Sequence, residues 1–392
     1  MRHFHQLSAA QGEQLFLRPP REFSRTADID TMAAALGATL YMPATRPDLA
    51  GDLRRQGARG VLSSVVCLED AISDDELPAA QANLIRQLTQ AGQDGLGASD
   101  TLPLTFVRVR HPEQIAAVTQ GLGEQTSMLS GFVLPKFTDV SGGDFLDALL
   151  AARAETGVDL RAMPVIESPE VIHRETRDSV LAGVASLLAK HRDVVLAVRL
   201  GATDLSSVYG LRRDRSLTVY DVRLVAEVIT DVVNVLGRAD GTGHVVTGTV
   251  WEYFAGADRI FKPLLRESPF LEHDAGRLRR QLITRDLDAL IREVVLDKAN
   301  GLIGKTVIHP THVVAVHALS VVSSEEYSDA CDITGQAQAG GGVRASSYRN
   351  KMNEAKPHLA WAQKTLRRAD AFGVAHEDVT FVDFLAAAAT QA

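Results

Sequence analysis

The chain has 392 residues, 45% of them hydrophobic and 23% charged, with a formal net charge of −8. That composition supports a large globular core, and the acidic balance argues against nucleic acid or an anionic membrane surface as a partner. Nor does any apolar stretch reach membrane-spanning length, and Cys67 and Cys331 form no metal-spaced set with the histidines.

The stretch Met1–Gln6 lacks the apolar run of a signal peptide, so a soluble, cytoplasmic protein is expected. Residues 1–37 read as an extension. Pro19-Pro20 and several charges suit a strap on the surface rather than a core element, and Asp28–Leu36 predicts a short helix capped by Gly37. From residue 38 to 325, apolar strand runs alternate with helical patterns. The strands are expected at Ala38–Pro43, Gly60–Leu68, Leu104–Arg110, Gly131–Lys136, Met163–Glu167, at the run leading into Arg199-Leu200, at His244–Val250 and at Gly304–Pro310. Between them fall predicted helices over Asp48–Arg55, Glu76–Leu88, Pro112–Leu122, Phe145–Glu155, Pro169–His191, Tyr220–Leu236, Leu278–Leu296 and Val313–Val322. Eight strands alternating with helices is the count of a (β/α)8 TIM barrel, an α/β fold. Residues 326–392 form a helical tail. Gly340–Gly342 reads as a flexible joint, and Asn350–Ala371 as a helix or helix pair with Trp361 and Leu366 available to dock.

In a TIM barrel the active site lies at the C-terminal ends of the strands. Those ends carry Glu69, Asp70, Arg108, Arg110, Lys136, Glu167, Asp204, Glu252 and His309. Glu167 and Asp204 end two strands joined by one predicted helix, so the strands run parallel and both carboxylates leave from the same end. Mg2+ is usually held by one or two carboxylates with substrate oxygens and waters, so this pair suits it. The bland reading is two unrelated solvated acids.

Arg108 and Arg110 are two residues apart and share a strand face. Two guanidinium groups there fit an anionic substrate, unless Arg110 is bound structurally by Glu69 or Asp70. Lys136 is a candidate Schiff-base lysine, though an electrostatic role is the simpler one. His309 is either a packed strand-end residue or a substrate contact. Gly304-Lys305-Thr306 resembles the end of a phosphate-binding loop, but Ala299 stands where its first glycine belongs.

Taken in order, Leu40–Pro43, Leu68–Ile72, Arg108-Val109, Leu134–Lys136, Val165–Glu167, Gly201–Leu205 and Gly304–Pro310 resemble the motifs of one family. This is the HpcH/HpaI aldolase and citrate lyase β-subunit-like group of TIM-barrel lyases, related to malyl-CoA and citramalyl-CoA lyases. The tail, with Asn350–His358, is similar to a divergent branch, the C–C bond lyases of the TIM-barrel fold, associated with tellurite-resistance-type stress operons.

The resemblance implies Mg2+ as cofactor with Glu167 and Asp204 as its ligands. It also implies Arg108 on the substrate carbonyl or carboxylate, and Glu69 and Asp70 as an acid pair that orients Arg108 or moves a proton. Asp70 is the first choice of base, with Arg110, Lys136 and His309 as further substrate contacts. The chemistry implied is retro-aldol cleavage, or its reverse, of a small anionic keto or hydroxy acid, an acyl-CoA or a phosphorylated acid. A homo-oligomer, trimer or hexamer, is implied too, and the glycine joint followed by a helix rich in Lys, His and Trp is expected to lay the tail over a barrel mouth, that of a neighbouring subunit. Departures from the family pattern stand at Gly37-Ala38, at Cys67 in place of Asp, and at Arg110 in place of Asn. The last two suggest a more anionic substrate. A Schiff-base aldolase using Lys136 and a non-catalytic metabolite-binding barrel are the alternatives.

Overall fold

Runs of apolar residues that are buried on both faces suit a parallel sheet covered by helices. The computed structural model of the chain describes residues 1–98, 101–254 and 287–389. Among these, parallel strands form at β1 (Ala38–Pro43), β2 (Ser63–Cys67), β3 (Leu104–Arg108), β4 (Leu129–Leu134), β5 (Arg161–Ile166), β6 (Arg199–Leu200), β7 (Gly248–Trp251) and β8 (Lys305–Val307). They pair in the order β6-β5-β4-β3-β2-β1-β8-β7. The remaining gap is bridged at Val198 and Val246: Val198 N donates to Val245 O at 2.8 Å and Thr247 N to Val198 O at 2.9 Å. The TIM barrel expected from the strand and helix count is therefore what forms.

The predicted helices form around it with shifted ends. Pro169–His191 divides into Pro169–Ile172 and Arg174–Lys190, because Arg177 folds back to donate to the carbonyls of Val171 and Ile172. Of the predicted Leu278–Leu296 helix, residues 278–286 lie outside the described residues, and Leu287–Ala299 is helical. Lys305 is fully buried and makes 2.7 Å ion pairs with Glu293 and Asp297 on that helix. A lysine held this way serves the barrel wall and is not a phosphate cradle.

The N-terminal end of the barrel is plugged. Helix Ile29–Ala35 is capped by Asp28, whose carboxylate accepts from Thr31 N at 2.9 Å. Met32, Ala33 and Leu36 pack with Val65, Leu104, Phe106, Val133 and Met163 inside the barrel. The segment before it is not the surface strap expected from Pro19-Pro20. Phe4, Leu15 and Phe16 are buried against Phe372, Val382 and Phe384. His3 is fully buried, its ring stacked on Phe372 with centroids 4.1 Å apart and its Nε2 donating to Ala35 O at 2.9 Å. Burial pushes the His3 pKa down to about 3, so the ring is neutral.

The tail closes the same end. Helix Ser324–Gln338, which the sequence reading missed, starts with a capping box between Ser323 and Glu326. Gly340, Gly341 and Gly342 all take positive φ, between 91° and 123°, and form a structured turn into the hairpin Val343–Ala345/Met352–Glu354, where a loose joint was expected. Helix Ala355–Phe372 then packs on Ser324–Gln338 and on the plug helix, and Val374-Ala375 pairs antiparallel with Phe16–Arg18. Leu366 docks against this helical layer, whereas Trp361 stays exposed. Within the chain, the tail thus covers the floor of its own barrel. No helix of the described residues is long and apolar enough to cross a membrane.

Because Phe372 sits at the junction of plug, extension and tail, Phe372→Ala should destabilise the fold by about 3–5 kcal/mol in denaturant unfolding. An unchanged midpoint would mean that the floor contributes little to stability.

Candidate active site

At the opposite end, one guanidinium gathers three acids. Strand β2 stops at Cys67, so Glu69 and Asp70 escape the alternation that would send them to opposite faces, and both reach Arg108 at the end of β3. Arg108 Nη2 lies 2.7 Å from Glu69 Oε2, 2.8 Å from Glu167 Oε1 and 3.1 Å from Asp70 Oδ2. Lys136 Nζ lies 2.5 Å from Glu69 Oε1, and 3.6 Å from both Asp70 and Asp204. The Lys136 backbone takes a φ of 47°, rare for a residue with a side chain, and its N–H donates to Glu167 Oε1 at 3.0 Å.

Glu167 is buried just beyond β5, and Asp204 lies in the first turn of helix Ala202–Ser207, which follows β6 directly. Between them Gly201 is obligatory. A Cβ there would stand 2.0 Å from Glu167 Oε2. Burial pushes the Glu167 carboxyl up to about 7; Arg108 opposes the shift, and the nearby Asp204 charge reinforces it. Glu69 and Asp70 titrate as a pair. Glu69 is raised, by burial and by its contact with Asp70. Asp70 is lowered, since its contact with Glu69 and the charges of Arg108 and Lys136 outweigh burial. Burial would lower Lys136, but Glu69 and the other acids raise it above its ordinary value, so its amine is held protonated.

These groups open into a cavity of about 500 Å3, lined by Asp70, Arg108, Glu167 and Asp204 at the rim and by Tyr41, Cys67 and Thr306 deeper in. Among the described residues no group of three or more His, Cys, Asp or Glu is arranged as a metal cage. The Glu167–Asp204 pair nevertheless fits Mg2+, which asks the protein for only one or two carboxylates. Glu167 is buried, the Asp204 charge acts on it, and both line the pocket beside Gly201.

Two expected contacts leave the site. Arg110 lies beyond the end of β3, where loop carbonyls capture it. Its Nε donates to Leu68 O at 2.8 Å and Nη2 to Ile72 O at 2.5 Å, and Nη1 pairs with Asp74. It braces the β2 loop and adds no charge to the cavity, which removes the argument from Arg110 for an unusually anionic substrate. His309 caps helix Pro310–Ser320, accepting from Thr311 N at 3.3 Å, and stacks on Phe254 with centroids 5.2 Å apart. Thr306 and Ile308 line the cavity in its place. Sequence reading missed Arg199 and Gly201. The signal was a lone arginine inside an apolar strand body, two residues before a glycine.

A parallel barrel with acids, a guanidinium and an amine around its C-terminal mouth defines an enzyme-like TIM-barrel protein. More particularly, the family model described as C–C bond lyase of the TIM-barrel fold matches residues 30–374, and the chain belongs to that family. No curated protein matches it. Among solved structures, a citrate lyase from Burkholderia xenovorans is 16% identical with a TM-score of 0.60, over 89% of this chain and 96% of its own. CitE from Mycobacterium tuberculosis, solved with magnesium, acetoacetate and coenzyme A, is 18% identical with a TM-score of 0.52, over 86% and 99%. These likenesses extend to the fold.

Were Mg2+ to bind at Glu167 it would displace a proton, and its affinity would then climb steeply as pH rises toward 7, by up to about tenfold per unit, and flatten above it. The same raised carboxyl predicts that the metal-free protein loses stability as pH rises from about 4.5 to about 7, where the fold holds a proton that the unfolded chain releases. Glu167→Gln should abolish both dependences in calorimetric titration and thermal melts. Gly201→Ala should weaken Mg2+ at least tenfold by displacing Glu167; an unaltered affinity would exclude Glu167 as a ligand.

Proposed function

We propose that the protein is a Mg2+-dependent carbon–carbon lyase, cleaving or condensing a small anionic keto or hydroxy acid, or its acyl-CoA ester, by retro-aldol chemistry. The observation that carries this reading is the convergence of Glu69, Asp70 and Glu167 on Arg108 beside Asp204, at the end of the barrel where this fold performs catalysis. Magnesium, acetoacetate and coenzyme A bound to the Mycobacterium tuberculosis relative support the cofactor and the substrate class.

In this reading Glu167 and Asp204 hold Mg2+, which when bound supplies positive charge for the carbonyl oxygen that gains electron density as the bond breaks. Arg108 donates to the substrate's carbonyl or carboxylate, and its three acid partners fix its direction. Asp70, ionised and facing the cavity, takes the hydroxyl proton. Glu69, with the higher proton affinity of the pair, tethers Arg108 and Lys136 and keeps Asp70 ionised. Lys136 serves as a fixed positive charge. Its raised, ion-paired amine is a poor Schiff-base nucleophile, since that role needs the neutral form. The homo-oligomer and the cytoplasmic setting belong to the same proposal.

Keto acids, hydroxy acids and their CoA esters should be assayed for cleavage products. Activity should vanish with a chelator, return with Mg2+, fall about 100-fold or more in Asp70→Asn, and survive in part in Lys136→Arg. Glu167→Ala should bind no Mg2+ by calorimetry. A borohydride-trapped adduct on Lys136 would replace this mechanism with the Schiff-base one, and metal-independent turnover would overturn it.

A further inference from the structure

The barrel interior holds a second guanidinium, Arg199, whose surroundings differ from those of the other buried cations. Arg108 has three acids, Lys305 has two, Arg213 pairs with Glu293, and Arg177 with Asp231. Arg199 is 1% exposed, and no carboxylate of the described residues lies within ion-pairing distance of it. Its Nη2 donates to Thr306 Oγ1 at 2.5 Å. Its Nη1 lies 3.4 Å from Thr39 Oγ1 and 3.7 Å from Met163 Sδ, and Nε has no partner. The Tyr41 ring covers the guanidinium at 5.5 Å. Neutral hydroxyls and a ring face are weak compensation for a charge removed from water.

The register shows where this charge points. Arg199 is paired with Val165, two residues before Glu167, and itself lies two residues before Gly201. It therefore stands one layer below the position of Glu167, about 7 Å along the strands, and both side chains line the cavity. The cavity that opens at Asp70 and Asp204 reaches down to Arg199 and Thr306. Arg199 is thus a buried cation at the bottom of a substrate-sized cavity, with no carboxylate partner among the described residues.

We propose that Arg199, with Thr306, forms an anion subsite at the cavity floor that receives a second carboxylate of the substrate, distal to the one handled at the rim. Resting on the lyase reading above, this narrows the substrate to acids with two anionic ends. Thr306 Oγ1 orients the guanidinium from β8, and Tyr41 shields the contact from water.

Malate and lactate, 2-hydroxy acids that differ by one carboxylate, are suitable probes. Each is titrated with saturating Mg2+ into wild type, Arg199→Met and Arg199→Lys, and the melting temperature of each unliganded protein is recorded. Wild type should bind malate at least tenfold more tightly than lactate. Arg199→Met should erase that preference while melting no lower than wild type, and Arg199→Lys should retain part of it. A preference that survives in Arg199→Met overturns the subsite. So does a wild type that binds the two acids equally or binds neither. Equal weakening of both acids together with a lowered melting temperature in Arg199→Met would make Arg199 a structural brace, which also overturns it. Repeating the wild-type titrations without Mg2+ separates the two proposals. Binding that keeps the malate preference but ignores the metal would count against the lyase mechanism and leave the subsite standing.

Discussion

The mouth of this barrel depends on the Arg108 guanidinium. Three acids from the β2 loop and the end of β5 meet there, and without a central cation their mutual repulsion, sharpened by burial, would drive them apart or protonate them. One nitrogen of Arg108 contacts the β2 loop twice and the end of β5 once, so a single side chain sets the relative positions of Glu69, Asp70 and Glu167. Lys136 repeats the arrangement more loosely on the solvent side. Such a site is assembled by charge, and its geometry is held in place before any ligand arrives.

Much of this was legible in the residues. Apolar runs that end in acids mark barrel strands, because the strand body must be buried while its C-terminal end meets the cavity. Glu69, Asp70, Arg108, Lys136, Glu167 and Asp204 were found that way, and the structure brings them together. Arg110 and His309 failed for a shared reason. Both lie past the last residue of their strand, where period-two alternation no longer says which way a side chain points and local backbone groups compete for it. The helix Ser324–Gln338 was missed because its apolar periodicity is weak, although its Ser323–Glu326 capping box was readable. The burial of Phe4 and Phe16 was hidden by the polar, proline-containing stretch beside them.

The two ends of the barrel divide the physical tasks. The mouth concentrates charge, dehydrated carboxylates and a lysine in an uncommon backbone conformation, features that cost stability. The floor is built from aromatic stacking, neutral histidines and a helix plug. Arg199 sits between these regimes, a charge set among the apolar layers of the interior.

The antiparallel pairing of Phe16–Arg18 with Val374-Ala375 bears on the order of assembly. These segments are more than 350 residues apart, and the pairing closes a loop that contains the whole barrel. Early in synthesis the aromatic side chains of the N-terminal segment have only one another, because the surface that covers them emerges only after every barrel strand has been made. Contacts so distant in sequence form slowly, and apolar surface left waiting invites association with other chains. Completion of the floor therefore waits until Val374-Ala375 has been made.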